Sequence, residues 1–465
     1  MLMPRREPIV NDKYIAQVLH RKREEDEVWV REILEKARRL KGLNQSDMIG
    51  LMSVESEELL KELFATARHV KDAIYGRRLV IFAPMYISNL CRNECTYCAF
   101  RAKNTLIHRR ALDQGEIASE TLSLVRSGHK RVLLVAGESY PKQGFNYVLD
   151  SIDTIYRVRE GNGEIRRVNV NVAPLDDDEF LQLKEHRIGT YQLFQETYSR
   201  KAYSQVHLAG KKVDYDWRLT AIDRALQSGI HDVGIGVLFG LCDWRYELLA
   251  LKSHVEYLER RYGIGPHTVS VPRLEAASGS DIASNPPHPI DDTTFQKIVA
   301  ILRLAVPYTG IIMSTRETPK LRRESFALGV SQISAGSRTN PGGYSSETQS
   351  ATSQFSLGDH RPLDEVVRDV ASMGYMPSFC TGCYRLGRVG ADFMDMARPG
   401  DIRNHCDPNG ISTFMEYLND YASSETRNVG QQCIDNALNR MADFPRERAE
   451  KLLRLVNTGR RDVYC

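Results

Sequence analysis

Arg78-Leu-Val-Ile-Phe-Ala83 and Arg131-Val-Leu-Leu-Val-Ala136 are the runs that decide the fold. Each is apolar, rich in branched residues and about six residues long, the size of a strand and too short for a helix. The segment between them, 114–127, places its apolar residues at helical spacing instead. The same alternation recurs down the chain. Further strands are predicted at 168–173, 190–195, 232–239, 268–272, 310–314 and 331–335, and helices near 144–158, 177–187, 214–228, 244–262, 291–306 and 319–328. Strands that alternate with helices form a parallel sheet. Eight such strands, in repeats of this length, predict a closed (β/α)8 TIM barrel over 78–336. A doubly wound open sheet is the alternative.

Either side of the barrel the texture changes. Apolar residues at helical spacing, as in Ile15-Ala-Gln-Val-Leu19 and Val28-Trp-Val-Arg-Glu-Ile-Leu34, make 12–75 helical and 1–77 an N-terminal helical segment. The charged run Arg21-Lys-Arg-Glu-Glu-Asp-Glu27 fits a solvated helix face. After the eighth strand, 336–362 is rich in Gly, Ser, Thr and Pro (Gly336-Ser-Arg-Thr-Asn-Pro-Gly-Gly-Tyr344) and predicts a loop leaving the barrel. Helices predicted at 363–373, 411–422 and 429–456 make 337–465 a mainly helical C-terminal extension.

Across 465 residues, 42% hydrophobic and 26% charged residues allow a sizeable core and argue against a largely disordered chain. Sixty-three basic against 60 acidic residues leave a net charge of +3, too balanced for a partner such as nucleic acid or a membrane surface. No stretch approaches the ~18 apolar residues of a membrane span. Met1-Leu-Met-Pro-Arg-Arg6 runs into polar sequence without the apolar core of a signal peptide, so a cytoplasmic location is expected. Nine cysteines, an odd number, fit metal or catalytic use better than a disulfide framework. Six of them form two groups, at 91/95/98 and 380/383/406.

The first group, Cys91-Arg-Asn-Glu-Cys95-Thr-Tyr-Cys98, is C-x3-C-x2-C. Three thiolates this close suit three corners of a cubane iron–sulfur cluster and leave the fourth iron open for chemistry. Zinc wants a fourth ligand, and neither Asn93 nor Glu94 is a convincing one; three structural thiols in a loop is the bland alternative. With Tyr97 before the third cysteine, the motif resembles the signature of radical S-adenosylmethionine (SAM) enzymes. The resemblance implies a [4Fe-4S] cluster at the C-terminal mouth of the barrel, where SAM chelates the open iron and one electron yields a 5′-deoxyadenosyl radical. It also gives meaning to other strand ends. Ala136-Gly137-Glu138 resembles the superfamily's Gly-Gly-Glu segment that binds the SAM amino group, with alanine in place of the first glycine. Glu196, in Gln195-Glu196-Thr197, is expected to accept hydrogen bonds from SAM, and Arg218 to pair with its carboxylate. A protein salt bridge is the alternative for both. Gly234-Ile-Gly236 is expected to let the backbone approach the adenine or ribose.

Met313-Ser314-Thr315-Arg316-Glu317 closes the seventh predicted strand. A guanidinium there holds a carboxylate in two parallel hydrogen bonds, with Ser314 and Thr315 adding contacts, unless Arg316 pairs with Glu317 instead. With Gln195-Glu-Thr-Tyr198, this segment resembles the aromatic-amino-acid lyase branch of the superfamily. That branch holds the thiazole-pathway tyrosine lyases (2-iminoacetate synthases) and the [FeFe]-hydrogenase maturases of the HydG type. The second cysteine group separates the two. Cys380-Thr-Gly-Cys383 with Cys406 is C-x2-C-x22-C, and it resembles the auxiliary-cluster motif of the HydG type, which the thiazole enzymes lack. A zinc site that recruits His405 is the alternative. The resemblance implies an auxiliary [4Fe-4S] cluster with a possible fifth iron, held partly by free cysteine and by a histidine that His267 matches. His267 precedes the sixth strand, so it is expected at the opposite mouth from Cys91. Strands of this length span ~17–20 Å, which keeps the two metal sites in separate pockets. The resemblance further implies cleavage of L-tyrosine to p-cresol and dehydroglycine, and passage to CO and cyanide captured as an Fe(CO)(CN) unit for the hydrogenase H-cluster. It implies as partners an electron donor such as ferredoxin or flavodoxin and the other hydrogenase maturation proteins.

Overall fold

The computed structural model describes residues 8–20, 25–345 and 353–465. Eight parallel strands form its centre: β1 Arg78–Ser88, β2 Arg131–Ala136, β3 Arg167–Asn171, β4 Tyr191–Glu196, β5 Val233–Val237, β6 Thr268–Ser270, β7 Gly310–Met313 and β8 Val330–Ser334. Neighbours in sequence are neighbours in the sheet. β8 returns to β1 through Val80↔Gln332 and Phe82↔Ser334, which closes the barrel. The open-sheet alternative is excluded by that last pairing.

Period-two alternation decides which residues face which way. On β1, Leu79, Ile81, Ala83, Met85 and Ile87 join the main hydrophobic core, while Phe82, Pro84 and Tyr86 line a cavity inside the barrel. TIM barrels ordinarily fill their interior with bulky branched side chains. Here Asn171, Gln192, Ser270 and Ser334 face inward and line the cavity. Small and polar side chains at these four positions, among apolar neighbours such as Leu133, Phe194 and Ile312, keep space inside the sheet.

A ninth strand, β9 Met376–Ser378, was absent from the sequence reading. It runs parallel to the first half of β1 (Arg78↔Met376, Val80↔Ser378), whereas β2 takes the second half (Ala83↔Val132, Tyr86↔Val135). β9 therefore ends where β2 begins, and Arg131 Nη1 donates to the Cys380 carbonyl at 2.7 Å. The C-terminal extension is thus stitched into the barrel's N-terminal mouth.

Most helices lie where the periodicity places them, with four corrections. The helix expected over 411–422 is Arg403–Asp420, so Cys406 lies in its first turn. The single helix expected over 214–228 is two, Tyr215–Leu219 and Ala221–Gln227, broken at Thr220. The helix expected over 429–456 is also two, Ser424–Arg440 and Asp443–Asn457, with extended backbone at Met441 and Ala442 between them. Of the charged run 21–27, residues 21–24 lie outside the described residues. Glu25 and Asp26 are capping groups rather than a plain solvated face: Asp26 accepts from Trp29 N at the start of Glu27–Ala37, and Glu25 accepts from Ser56 N at 2.8 Å. The N-terminal helices pack on the barrel, where Lys297 Nζ donates to the Met52 carbonyl at 2.9 Å. Of the loop expected to leave the barrel after β8, residues 346–352 lie outside the described residues, and the stretches on either side fold back over the mouth instead. Tyr344 Oη donates to the Pro84 carbonyl at 2.6 Å, and Gln354 accepts from Tyr86 Oη at 2.7 Å.

Candidate active site

The inward-facing cavity opens at the C-terminal ends of the strands and has a volume of about 200 Å3. Cys91, Cys95 and Cys98 line it, on the loop that follows β1. Burial pushes all three thiols up, Cys98 to about 11, so an apolar pocket by itself keeps them protonated. Their sulfurs are nonetheless supplied with donors. Phe100 N reaches Cys98 Sγ at 3.4 Å and Gln354 Nε2 reaches it at 3.7 Å. Gly137 is there because β2 presses on this loop: a Cβ at 137 would stand 2.2 Å from the Leu90 carbonyl oxygen. Ala136, Gly137 and Glu138 all line the cavity beside the cysteines. Tyr97 lines it too, its hydroxyl 2.9 Å from His207 Nε2. Sulfurs spread along one wall of a deep cavity, with backbone and carboxylate facing them, fit a cubane and a zwitterionic ligand bound to it.

Four charged groups line the same cavity. Glu138 accepts from Arg218 Nη1 at 2.8 Å and from Asn93 Nδ2 at 2.7 Å, and Glu196 accepts from Lys212 Nζ at 2.7 Å. Burial raises Glu138, but Arg218 and Lys212 outweigh it and hold the carboxylate below its ordinary range. The salt-bridge alternative for Glu196 and Arg218 is therefore what the fold displays, though buried rather than solvated. Both remain on the cavity surface. Lys212 and Asn93 were missed by the sequence reading. Lys212 N donates to Asn93 Oδ1 at 3.1 Å, and Gly210 beside it has φ +88° in a turn where a Cβ would meet Asn93 Oδ1 at 2.2 Å.

Glu196 has φ +71°, unusual for a residue with a side chain. The strained turn is held from behind by Glu247, which accepts from Thr197 Oγ1 and, at 2.9 Å, from Tyr198 N. The expectation for Gly234 and Gly236 is corrected. Neither lines the cavity; a Cβ at Gly236 would meet the Phe194 ring at 2.7 Å and one at Gly234 would meet Thr268 Oγ1 at 2.5 Å. These glycines make room for neighbouring strands' side chains, not for a ligand.

Ser314, Thr315 and Arg316 line the same cavity. Glu317 is engaged by Arg273 through both of its oxygens, so it does not neutralise Arg316. Arg316 instead lies flat on the Phe355 ring, 3.3 Å from its centroid, and gives one hydrogen bond, 3.3 Å, to the Arg273 carbonyl. Burial lowers it, while Tyr86 and Glu275 oppose the shift. A planar cation held in place with most of its donors unspent is suited to a carboxylate.

A second, smaller cavity of about 50 Å3 lies at the opposite mouth. Cys380, Cys383, Cys406 and His267 line it together, the grouping that the resemblance implied. The Cys383 and Cys406 sulfurs are hydrogen-bonded to each other, which draws Cys406 down toward the thiolate. Burial lowers His267, opposed by Asp232 at 3.6 Å, and leaves the neutral imidazole that a metal requires. His405 turns to Arg448, 3.2 Å away, instead of joining the cysteines. Among the described residues no three His, Cys, Asp or Glu side chains converge on one point as a single metal ion needs. A cubane has no such need, because each sulfur meets a different iron. The two cavities nearly meet. Val80, Arg131 and Gln332 line the lower one, and Phe82, Leu133 and Ser334, each two residues further along the same strands, line the upper.

Comparison with known proteins agrees with this geometry. Residues 85–249 match the Radical SAM superfamily and 270–376 match the Biotin and Thiamin Synthesis associated domain. The 2-iminoacetate synthase of Escherichia coli K12 is 32% identical over 357 residues, 77% of this chain and 92% of that protein. A crystal structure of HydG, a maturase of the [FeFe]-hydrogenase, superposes with a TM-score of 0.95 at 45% identity, covering 98% of this chain and 100% of the other. HydG from Carboxydothermus hydrogenoformans superposes with a TM-score of 0.83 at 40% identity, covering 95% and 97%. Those matches run through the segment that carries Cys380, Cys383 and Cys406.

Proposed function

This chain belongs to the HydG family of radical SAM enzymes, related to the 2-iminoacetate synthases, and from that membership we propose that it is a tyrosine lyase. It cleaves L-tyrosine to p-cresol and dehydroglycine and carries the second fragment on to CO and cyanide, captured as an Fe(CO)(CN) unit for [FeFe]-hydrogenase H-cluster assembly. Dehydroglycine contains the atoms of CO, hydrogen cyanide and water, so its breakdown needs no further oxidant. When bound at the upper mouth, a [4Fe-4S] cluster and SAM supply the one-electron chemistry that starts a radical reaction. The chain's own residues supply position and shielding. Cys91, Cys95 and Cys98 hold the cluster. Gly137 and Glu138 face the SAM amine, with Arg218 and Lys212 balancing the carboxylates of Glu138 and Glu196. Arg316 grips the tyrosine carboxylate, with Ser314 and Thr315 alongside. The loop bearing Gln354 and Phe355 closes the mouth and excludes water.

The observation that carries the reading is the pair of cysteine-lined cavities at the two mouths of one barrel. A lyase that released its fragment to solution has no use for the second. Cys380, Cys383 and Cys406 hold an auxiliary cluster there, and His267 with a free cysteine holds the iron that takes the diatomic ligands. The enzyme works in the cytoplasm, with ferredoxin or flavodoxin as electron donor and the other maturation proteins downstream. The test is anaerobic turnover of tyrosine with SAM, quantifying p-cresol and CO. Both products are expected. Release of 2-iminoacetate without CO would assign the thiazole-pathway activity instead, and no p-cresol would reject the lyase.

A further inference from the structure

The lower cavity carries two buried arginines that no carboxylate among the described residues pairs with; Asp232, whose charge Arg131 feels, is paired with Arg167 at 3.5 Å. Arg78, at the start of β1, and Arg131, at the start of β2, both line it and are both buried. No Asp or Glu among the described residues lines it with them. Arg131 donates once, to the Cys380 carbonyl at 2.7 Å, and its Nε is enclosed without a partner. Arg78 is barer still. No hydrogen bond or ion pair from the described residues reaches its guanidinium, and its Nε is also enclosed without a partner. Asp407, whose charge it feels, stands beyond ion-pair distance and is engaged by Arg403 at 3.3 Å. The slot is nevertheless built for it. Arg78 stands in register with Met376 of β9, and Gly410 leaves the space its stem occupies: a Cβ there would meet Arg78 Cδ at 3.0 Å. A buried cation with no counter-ion is costly, so a fold that shapes a slot for one implies an anion that completes it.

We propose that Arg78 and Arg131 are the built-in counter-charge of the iron–sulfur cluster held by Cys380, Cys383 and Cys406, and that they raise its reduction potential. The proposal rests on the two-cluster reading above. A cubane bound by three thiolates is a net anion, and reduction adds one more negative charge to it. Fixed cations in a water-poor pocket stabilise the reduced form more than the oxidised one, with little screening by salt. The same arginines act in the opposite direction when the cluster is missing, because their charge is then buried alone. They are positioning and tuning residues; neither lines the upper cavity.

The experiment uses the full chain, reconstituted anaerobically, as wild type, Arg78→Met, Arg78→Lys and Arg131→Met. Redox titration followed by electron paramagnetic resonance reads each cluster, and only the upper cluster's signal responds to SAM. Arg78→Met is expected to shift the lower cluster's reduction equilibrium toward the oxidised form by about tenfold, or about 59 mV for one electron. The upper cluster should stay in place, Arg131→Met should shift the lower one the same way, and Arg78→Lys should restore most of the wild-type value. Thermal unfolding gives the second readout. Cluster-free Arg78→Met is expected to melt at or above cluster-free wild type, and the loaded variant below loaded wild type. An unchanged potential, or equal destabilisation with and without the cluster, would overturn the proposal. Iron analysis separates this from failure of the underlying reading. About four irons per chain in the wild type would remove both, whereas about eight with an unchanged potential would remove the proposal alone.

Discussion

Arg316 is the residue on which substrate recognition turns. Glu317, its sequence neighbour, is occupied by Arg273, and the Phe355 ring fixes the plane of the Arg316 guanidinium. Arg316→Lys keeps the charge but loses the planar fork and the stacking. Tyrosine affinity is expected to fall by ~1–3 kcal/mol, read by calorimetry, while SAM cleavage without tyrosine persists. Unchanged tyrosine binding would mean that another group holds the carboxylate. Glu247 offers a test of the strained turn. Burial raises its carboxyl from 4.5 to about 7, against the pull of Thr197 and Tyr198. A carboxyl raised in the folded state stabilises the fold fully below its unfolded value and loses that contribution as pH climbs through the folded one. Wild-type stability should therefore decline between about pH 4.5 and 7 relative to Glu247→Gln, by up to roughly 3 kcal/mol. Parallel denaturant curves for the two proteins across that range would contradict it. Legibility at this scale was uneven. The cysteines were readable because metal-ligand spacing is local in sequence. Lys212 was not, because its partner Glu196 is brought to it only by the turn after β4. The glycines of β5 misled for a related reason. Close approach of a ligand and close approach of Phe194 require the same missing Cβ, and sequence alone does not say which is present.

Elements were read better than residues wherever periodicity spoke. All eight barrel strands stand within a few residues of their predicted runs, since each carries an apolar face toward the helices. β9 escaped because Met376-Pro-Ser378 is three residues long and carries a proline, which ordinarily argues against a strand. It pairs only because β1 extends beyond the start of β2 and leaves an edge uncovered. The loop over 336–362 looked like an exit because its composition is that of a turn; its contacts with Tyr86 and Pro84 are tertiary and leave no local mark. The junction of β2 with the cysteine loop gives the element-level test. Gly137→Ala places a methyl where the Leu90 carbonyl oxygen stands, at 2.2 Å, and backbone cannot yield cheaply. The loop should be displaced, at a cost of ~1–3 kcal/mol in stability. Iron content should fall from about eight toward about four per chain, with SAM cleavage lost and the lower cluster retained. Full iron content with normal SAM cleavage would show that the contact is slack.

At the scale of the whole molecule, the two cysteine groups lie in separate cavities at opposite ends of one barrel, which nearly meet along the shared strands. That separation makes the chemistry divisible by mutation. Cys380→Ala with Cys383→Ala removes thiolates from the lower cavity only. Neither cysteine lines the upper cavity with Arg316 and Cys91. Tyrosine cleavage to p-cresol should continue, and iron-bound CO and cyanide should not form. His267→Ala should act more narrowly. Its imidazole packs on Phe393 and sits 3.6 Å from Asp232, at the edge of the cysteine cluster, so the cubane should survive while the additional iron is weakened or lost. Infrared spectra of the Fe–CO and Fe–CN stretches, taken beside p-cresol yields, distinguish the outcomes in each variant. If the double cysteine variant still built iron-bound diatomics, the lower group would be structural and the thiazole-type reading would gain. If p-cresol collapsed with them, the mouths would be coupled through the barrel, and β9 is the element through which that coupling would run, since it ties Cys380 to the strand that leads to Cys91.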